Sequence, residues 1–228
     1  KKGDGSYASE KTYSYKVSEV KGNAGDGITY DDREYTVKVK VSYDQASGTM
    51  KAELADKDQK LAFANSYDTE TGIDLEGTKS LEGRTLKDGE FTFEVKGKAG
   101  KVVATGSNKS DGSISFNNKL NYKLSDLEKA DGSYESEKTY EYTVNEVIPE
   151  GATAENNYTV NGVTYDNSIF TVKVIVSYDQ ATGIMSAAFA EDSQELIFDN
   201  TYDAKGSLTL EASKTLKNKA LEADAFNF

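Results

Sequence analysis

The chain has 228 residues, with 27 Lys and Arg against 39 Asp and Glu, and a formal charge of −12. It contains no His, Cys or Trp, one Pro and 15 Tyr. Those counts exclude disulfides, thiol nucleophiles, His-based triads and Cys-ligated zinc, and the acidic balance argues against a phosphate-bearing partner.

Read from the N-terminus, apolar and polar residues alternate in short runs, the mark of half-buried strands. Tyr13, Tyr15, Val17 and Glu19 share one strand face, and Leu61, Phe63, Asn65 and Tyr67 another. Leu75, Gly77, Lys79 and Leu81 form a third such run, followed by Phe91, Phe93 and Val95. The stretch 120–129 reads as one short helix. Beyond it come Tyr140, Tyr142, Val144 and Glu146, then Phe170, Val172, Val174 and Val176, then Leu196, Phe198, Asn200 and Tyr202. Leu208, Leu210, Ala212, Lys214 and Leu216 close the series. Gly97–Gly100, Asp111-Gly112 and Asp131-Gly132-Ser133 supply the turns. Many short strands without a long helical pattern predict an all-β chain of antiparallel immunoglobulin-like sandwiches. Nothing approaches the roughly 18 consecutive apolar residues of a membrane span, and Lys1 leads into a polar, Gly-containing stretch rather than a signal-peptide core.

The sequence also repeats. Residues 1–20 match 128–147 at 14 of 20 positions, an offset of 127. Residues 29–68 match 164–203 at 23 of 40 positions, an offset of 135, and 204–228 match 69–93 at 7 of 25. The difference, 135 − 127 = 8, is an insertion in the second copy between Pro149 and Val163. The expected organisation is the C-terminal part of a first repeat at 1–68, one complete repeat at 69–203, and the opening strands of a third at 204–228. The chain then reads as a fragment of a longer array.

Strand parity puts three polar residues among apolar ones. Lys79, Glu146 and Asn200 occupy positions whose i ± 2 neighbours are Leu, Ile, Val, Phe, Tyr or Gly. An unpaired buried charge costs several kcal/mol, so their coincidence calls for a reason. One reading is a set of strand-end groups turned to water, or an ion pair with no covalent chemistry. The other is a self-formed amide. In an apolar site the Lys pKa falls and the Glu pKa rises. Neutral Lys79 attacks the Asn200 carboxamide as a nucleophile. Protonated Glu146 is expected to hydrogen-bond the amide oxygen and to pass a proton to the departing ammonia. Packing supplies the effective molarity.

The stretches TKSLEGRTLKDGEFTFEV, YEYTVNEV and LIFDNTYD, taken in order, resemble the streptococcal pilin isopeptide linkage domain family, found in Gram-positive major pilins and surface-adhesin repeats. The resemblance implies a sandwich related to the collagen-adhesin B-type domain. It also implies a Lys79–Asn200 isopeptide crosslink with Glu146 catalytic. In the partial copies, Glu19 matches the catalytic position, and Asn65 and Lys214 match crosslink positions whose partners lie outside the chain. The third copy departs from the pattern, with Asn218-Lys219 where the second has Gly83-Arg84.

The expected role is therefore structural: a stalk or fibre-shaft repeat on a cell surface or cell wall, self-crosslinking once without turnover, with no cofactor and no metal. Its expected partners are neighbouring repeats, with a host surface ligand as a further candidate, and neither nucleic acid nor a membrane. The rival reading is an adhesive module binding carbohydrate or host protein through Tyr rings, which sugar titration would reveal. Calcium is a second rival. Asp26, Asp31 and Asp32, or Asp126 and Asp131 with Glu128, offer oxygens, yet none fits the spaced EF-hand loop.

Overall fold

The computed structural model describes residues 1–23, 25 and 27–227. The first 68 residues carry β1 (Glu10–Ser18), β2 (Ile28–Thr29), β3 (Glu34–Asp44), β4 (Thr49–Leu54) and β5 (Ser66–Tyr67). Then follow β6 (Glu70–Ile73), β7 (Thr78–Glu82), β8 (Thr92–Lys96), β9 (Val102–Asn108), β10 (Ile114–Phe116) and β11 (Leu120–Lys123). The remainder are β12 (Glu137–Glu146), β13 (Thr159–Val160), β14 (Val163–Thr164), β15 (Ile169–Asp179), β16 (Ile184–Phe189) and β17 (Ile197–Tyr202). The all-β expectation is met: among the described residues the only helical pieces are 3-10 turns at Lys98–Gly100, Leu124–Leu127 and Ala154–Asn156.

The helix expected over 120–129 is replaced by β11 and a 3-10 turn. Leu120, Tyr122 and Leu124 are all buried, which is a period of two, and only Leu127 adds a spacing of three. The short window hid the strand parity behind its final leucine.

The chain forms two compact units. One comprises Lys1–Ile73, Lys119–Tyr140 and Lys173–Glu191. It contains the antiparallel sheet β1-β3-β4 and the pairs β2-β5 and β6-β11. It also holds the β15–β16 hairpin, whose turn is closed by the Gly183 N–H on the Asp179 carbonyl at 2.8 Å. The matching hairpin of the first copy is closed by the Gly48 N–H on the Asp44 carbonyl, also at 2.8 Å.

The other unit comprises Asp74–Asn118, Glu141–Val172 and Asp192–Phe228. In it, β10, β9, β8 and the end of β12 line up antiparallel, and β13, β14, β17 and β7 form a second sheet. The β17–β7 pair is parallel, with Phe198 level with Lys79 and Asn200 level with Leu81. The stretch between Pro149 and Val163 builds the Ala154–Asn156 turn and β13, which adds a strand beside β14. Phe93 of one sheet packs on Phe198 of the other, ring centroids 4.8 Å apart, and Val95 and Val144 are fully buried beside them. Each such side chain stabilises the fold by roughly 1.5–3 kcal/mol. Residues 204–227 form no strand, so Leu208, Leu210 and Lys214 are exposed, unlike Leu75 and Lys79 at the matching positions.

Candidate functional site

Three strands deliver the three polar side chains to one apolar interior. Lys79 stands on β7 at 2% exposure, Glu146 ends β12 at 2%, and Asn200 lies on β17 at 1%. Strand parity holds Glu146 and Asn200 there, because Val144 and Phe198, two residues before them, are fully buried. The Lys79 amine sits 4.8 Å from the centroid of the Phe91 ring.

Glu146 bridges the other two. Its Oε2 is 3.1 Å from Lys79 Nζ, and its Oε1 accepts a 2.8 Å hydrogen bond from Asn200 Nδ2. The Lys79 contact is an ion-pair distance without hydrogen-bond alignment, so Nζ and Oε2 have no hydrogen-bond partner. Burial pushes the Lys79 amine below its ordinary value, outweighing the pull of Glu146. Burial likewise pushes the Glu146 carboxyl up, outweighing Lys79 and the Asn200 bond. Both shifts favour a neutral amine facing a protonated acid.

The carboxamide is turned the opposite way from the sequence expectation. Asn200 Oδ1 accepts the Asp166 backbone N–H at 2.7 Å, and its nitrogen faces Glu146. A backbone N–H can only donate, so it fixes the oxygen on that side. Glu146 therefore addresses the nitrogen that would leave as ammonia, and the amide oxygen is polarised by Asp166.

In the first copy, Asn65 Nδ2 donates to Glu19 Oε1 at 2.6 Å and Asn65 Oδ1 accepts the Asp31 N–H at 2.9 Å. That pair is not sealed: Asn65 is exposed and Glu19 half-buried. Lys214 is exposed, its amine 4.6 Å from the Phe226 ring centroid. Thus Lys79, Glu146 and Asn200 converge, Glu19 meets Asn65, and Lys214 stands apart from both sets.

Three contributors escaped sequence reasoning. Phe91 belongs to a strand face by alternation alone, and only the fold brings its ring to the Lys79 amine. The Gly83-Arg84 pair closes the end of β7. Gly83 adopts φ +94°, and a Cβ there would fall 2.2 Å from the Tyr202 carbonyl oxygen. Arg84 forks onto Glu90 and lies over the Tyr202 ring, 4.8 Å from its centroid. Asp166 is the third, and its signal was present: Thr29-Tyr30-Asp31 recurs as Thr164-Tyr165-Asp166 at the repeat offset.

The acidic loops are occupied by their own donors. Asp31 takes the Arg33 guanidinium and the Ala64 N–H, Asp126 the Lys123 N–H, and Asp131 the Ser133 N–H and hydroxyl. Asp26 lies outside the described residues. Among the described residues no group of three or more carboxylates is arranged to hold a metal ion, and no helix is long and apolar enough to cross a membrane. Tyr134 and Tyr178 pack edge to face, 5.8 Å apart, with Tyr178 buried, so those two rings do not form a flat sugar platform.

A family model, FctA, described as a Spy0128-like isopeptide containing domain, matches residues 3–68 and 75–203. No curated protein matches the chain.

Proposed function

The chain belongs to the FctA family of Spy0128-like isopeptide containing domains, and from that premise we propose that residues 69–203 are a shaft repeat of a bacterial surface fibre, locked by an autocatalytic Lys79–Asn200 isopeptide bond. The single observation that carries this reading is the sealed trio of amine, acid and carboxamide, with Glu146 touching both reactants. Lys79 adds to Asn200 Cγ, the Cγ–Nδ2 bond breaks, and one ammonia leaves. Glu146 takes the proton released by the amine and delivers it to Nδ2. The reaction occurs once and leaves nothing to turn over.

Topology supports a mechanical purpose. β7 and β17 are parallel neighbours, so tension entering at one end of the repeat and leaving at the other shears them. A bond between them carries that load and shields the 200 − 79 = 121 residues of chain that follow Lys79 as far as Asn200. The same family membership supports a surface location, in a Gram-positive wall or pilus, and neighbouring repeats as partners. Residues 1–68 and 204–228 are read as parts of flanking repeats, with Glu19, Asn65 and Lys214 as elements of their own crosslinks.

Single-molecule pulling tests the proposal. The wild-type repeat should withhold the shielded segment, whereas Lys79→Met should release about 400 Å more contour length, at about 3.3–3.6 Å per residue. Equal extension of the two would refute the load-bearing bond.

A further inference from the structure

Asp166 lies between β14 and β15 and grips the reacting asparagine twice. Its backbone N–H donates to Asn200 Oδ1 at 2.7 Å, and its Oδ2 accepts the N–H of Asp199, the preceding residue, at 3.1 Å. Its Oδ1 accepts the Ser168 N–H at 2.9 Å, which folds the segment back on itself. The two grips form a ring that holds the carboxamide against the backbone of residue 166.

The first copy builds the same ring from the matching residues. The Asp31 N–H donates to Asn65 Oδ1 at 2.9 Å, Asp31 Oδ2 accepts the Ala64 N–H at 2.8 Å, and Asp31 Oδ1 accepts the Arg33 N–H at 2.9 Å. There the asparagine is exposed and Glu19 Oε2 has no hydrogen-bond partner. The ring therefore needs neither a sealed interior nor a lysine contact. It orients the carboxamide before the nucleophile counts, oxygen toward Asp and nitrogen toward Glu in both copies.

We propose that Asp166 is a further residue of the crosslinking reaction: its backbone N–H is the oxyanion donor for Asn200, and its carboxylate is the positioning group that keeps the donor aimed. This rests on the Lys79–Asn200 bond proposed above. When Lys79 Nζ bonds to Cγ, the carbonyl electron pair moves onto Oδ1. That charge would otherwise develop on a side chain only 1% exposed, where an unpaired charge is costly. A donor already in place stabilises it without reorganisation. The pair then returns to Cγ, the Cγ–Nδ2 bond breaks, and Nδ2 departs as ammonia with the proton carried by Glu146. No oxidant or reductant enters.

The test uses the full 228-residue chain, assembled by semisynthesis, held in denaturant and refolded by dilution, with ammonia loss followed by intact mass. Replacing the residue 166 amide by an ester removes the N–H and keeps the side chain. It should slow linkage about 10²–10³-fold in chains that fold. Asp166→Ala, which leaves the N–H but frees it, should slow linkage by a smaller factor. An ester at Asp31 removes the matching bond in the first copy and should leave the rate unchanged, which separates reaction from general loss of structure. A folded 166 ester that links at the wild-type rate overturns the assignment, as does equal slowing by the Asp31 ester. A wild-type chain that keeps all its ammonia overturns the crosslink itself, and the oxyanion role with it.

Discussion

Lys79 and Asn200 stand diagonally on one face of neighbouring parallel strands, Lys79 level with Phe198 and Asn200 level with Leu81. Glu146 reaches them from the facing sheet, 3.1 Å from the amine and 2.8 Å from the amide nitrogen. Burying a Lys, a Glu and an Asn at these positions is costly as an unreacted trio. It becomes intelligible when the amine and the carboxamide are consumed by bond formation. The first prediction follows from that geometry. Glu146→Gln keeps the shape but cannot shuttle a proton, so linkage should slow by roughly 10²–10⁴-fold. Intact mass after refolding checks it: the variant should retain its ammonia when the wild type has lost one.

Lys79→Met removes the nucleophile while filling its space. The wild-type bond closes a loop of 200 − 79 = 121 residues, worth about 5 kcal/mol in the chain-entropy model. The variant should unfold roughly 10–20 °C lower by calorimetry and be cleaved faster by trypsin. An unchanged transition would show that the wild-type chain carries no crosslink.

The rate of linkage should be bell-shaped in pH. The reactive pair holds one proton, on Glu146, facing a neutral Lys79. As pH falls, the amine takes up a second proton and the rate drops. As pH rises, the acid loses its proton and the rate drops again. Burial raises Glu146 above its ordinary 4.5 and lowers Lys79 below its ordinary 10.5, so both arms should fall inside that window. Stability of the unlinked Asn200→Ala chain has its own sign. Glu146 binds its proton more tightly when folded, so stability declines as pH rises through the interval above 4.5. Lys79 holds its proton less tightly when folded, so stability also declines as pH falls below 10.5. Refolding kinetics and denaturant titration at several pH values check the two curves.

Gly83→Ala should disturb the end of β7. The position has φ +94°, and the new Cβ would meet the Tyr202 carbonyl oxygen at 2.2 Å. The backbone must shift where β7 and β17 part, at a cost of about 1–3 kcal/mol. Linkage should slow with it, since the same two strands set the Lys79–Asn200 register. Thermal unfolding and mass-detected linkage on one sample test both effects.

The sequence made the strands legible wherever parity ran unbroken. From Val172 to Tyr178 every second residue is buried, as the alternation of β-branched and aromatic residues requires. The site was legible for the same reason, because Lys79, Glu146 and Asn200 interrupt apolar stripes. Three features were not. Leu120–Lys123 is too short for period two to show against the leucines after it. The amide's orientation depends on the direction of the Asp166 N–H, which the recurring Thr-Tyr-Asp stretch marks by position but does not display. The Lys214 segment has the composition of β7, but alternation alone cannot create a strand without a neighbour to pair with, and residues 204–227 form none.

The central claim is tested most directly by the intact mass of the purified wild-type chain, followed by fragmentation of its proteolytic peptides. The account predicts a mass below the sequence value by one ammonia, with a branched peptide joining Lys79 to Asn200 and with Asn65 and Lys214 unmodified. A chain at its full sequence mass, with Lys79 and Asn200 recovered in separate linear peptides, would contradict it.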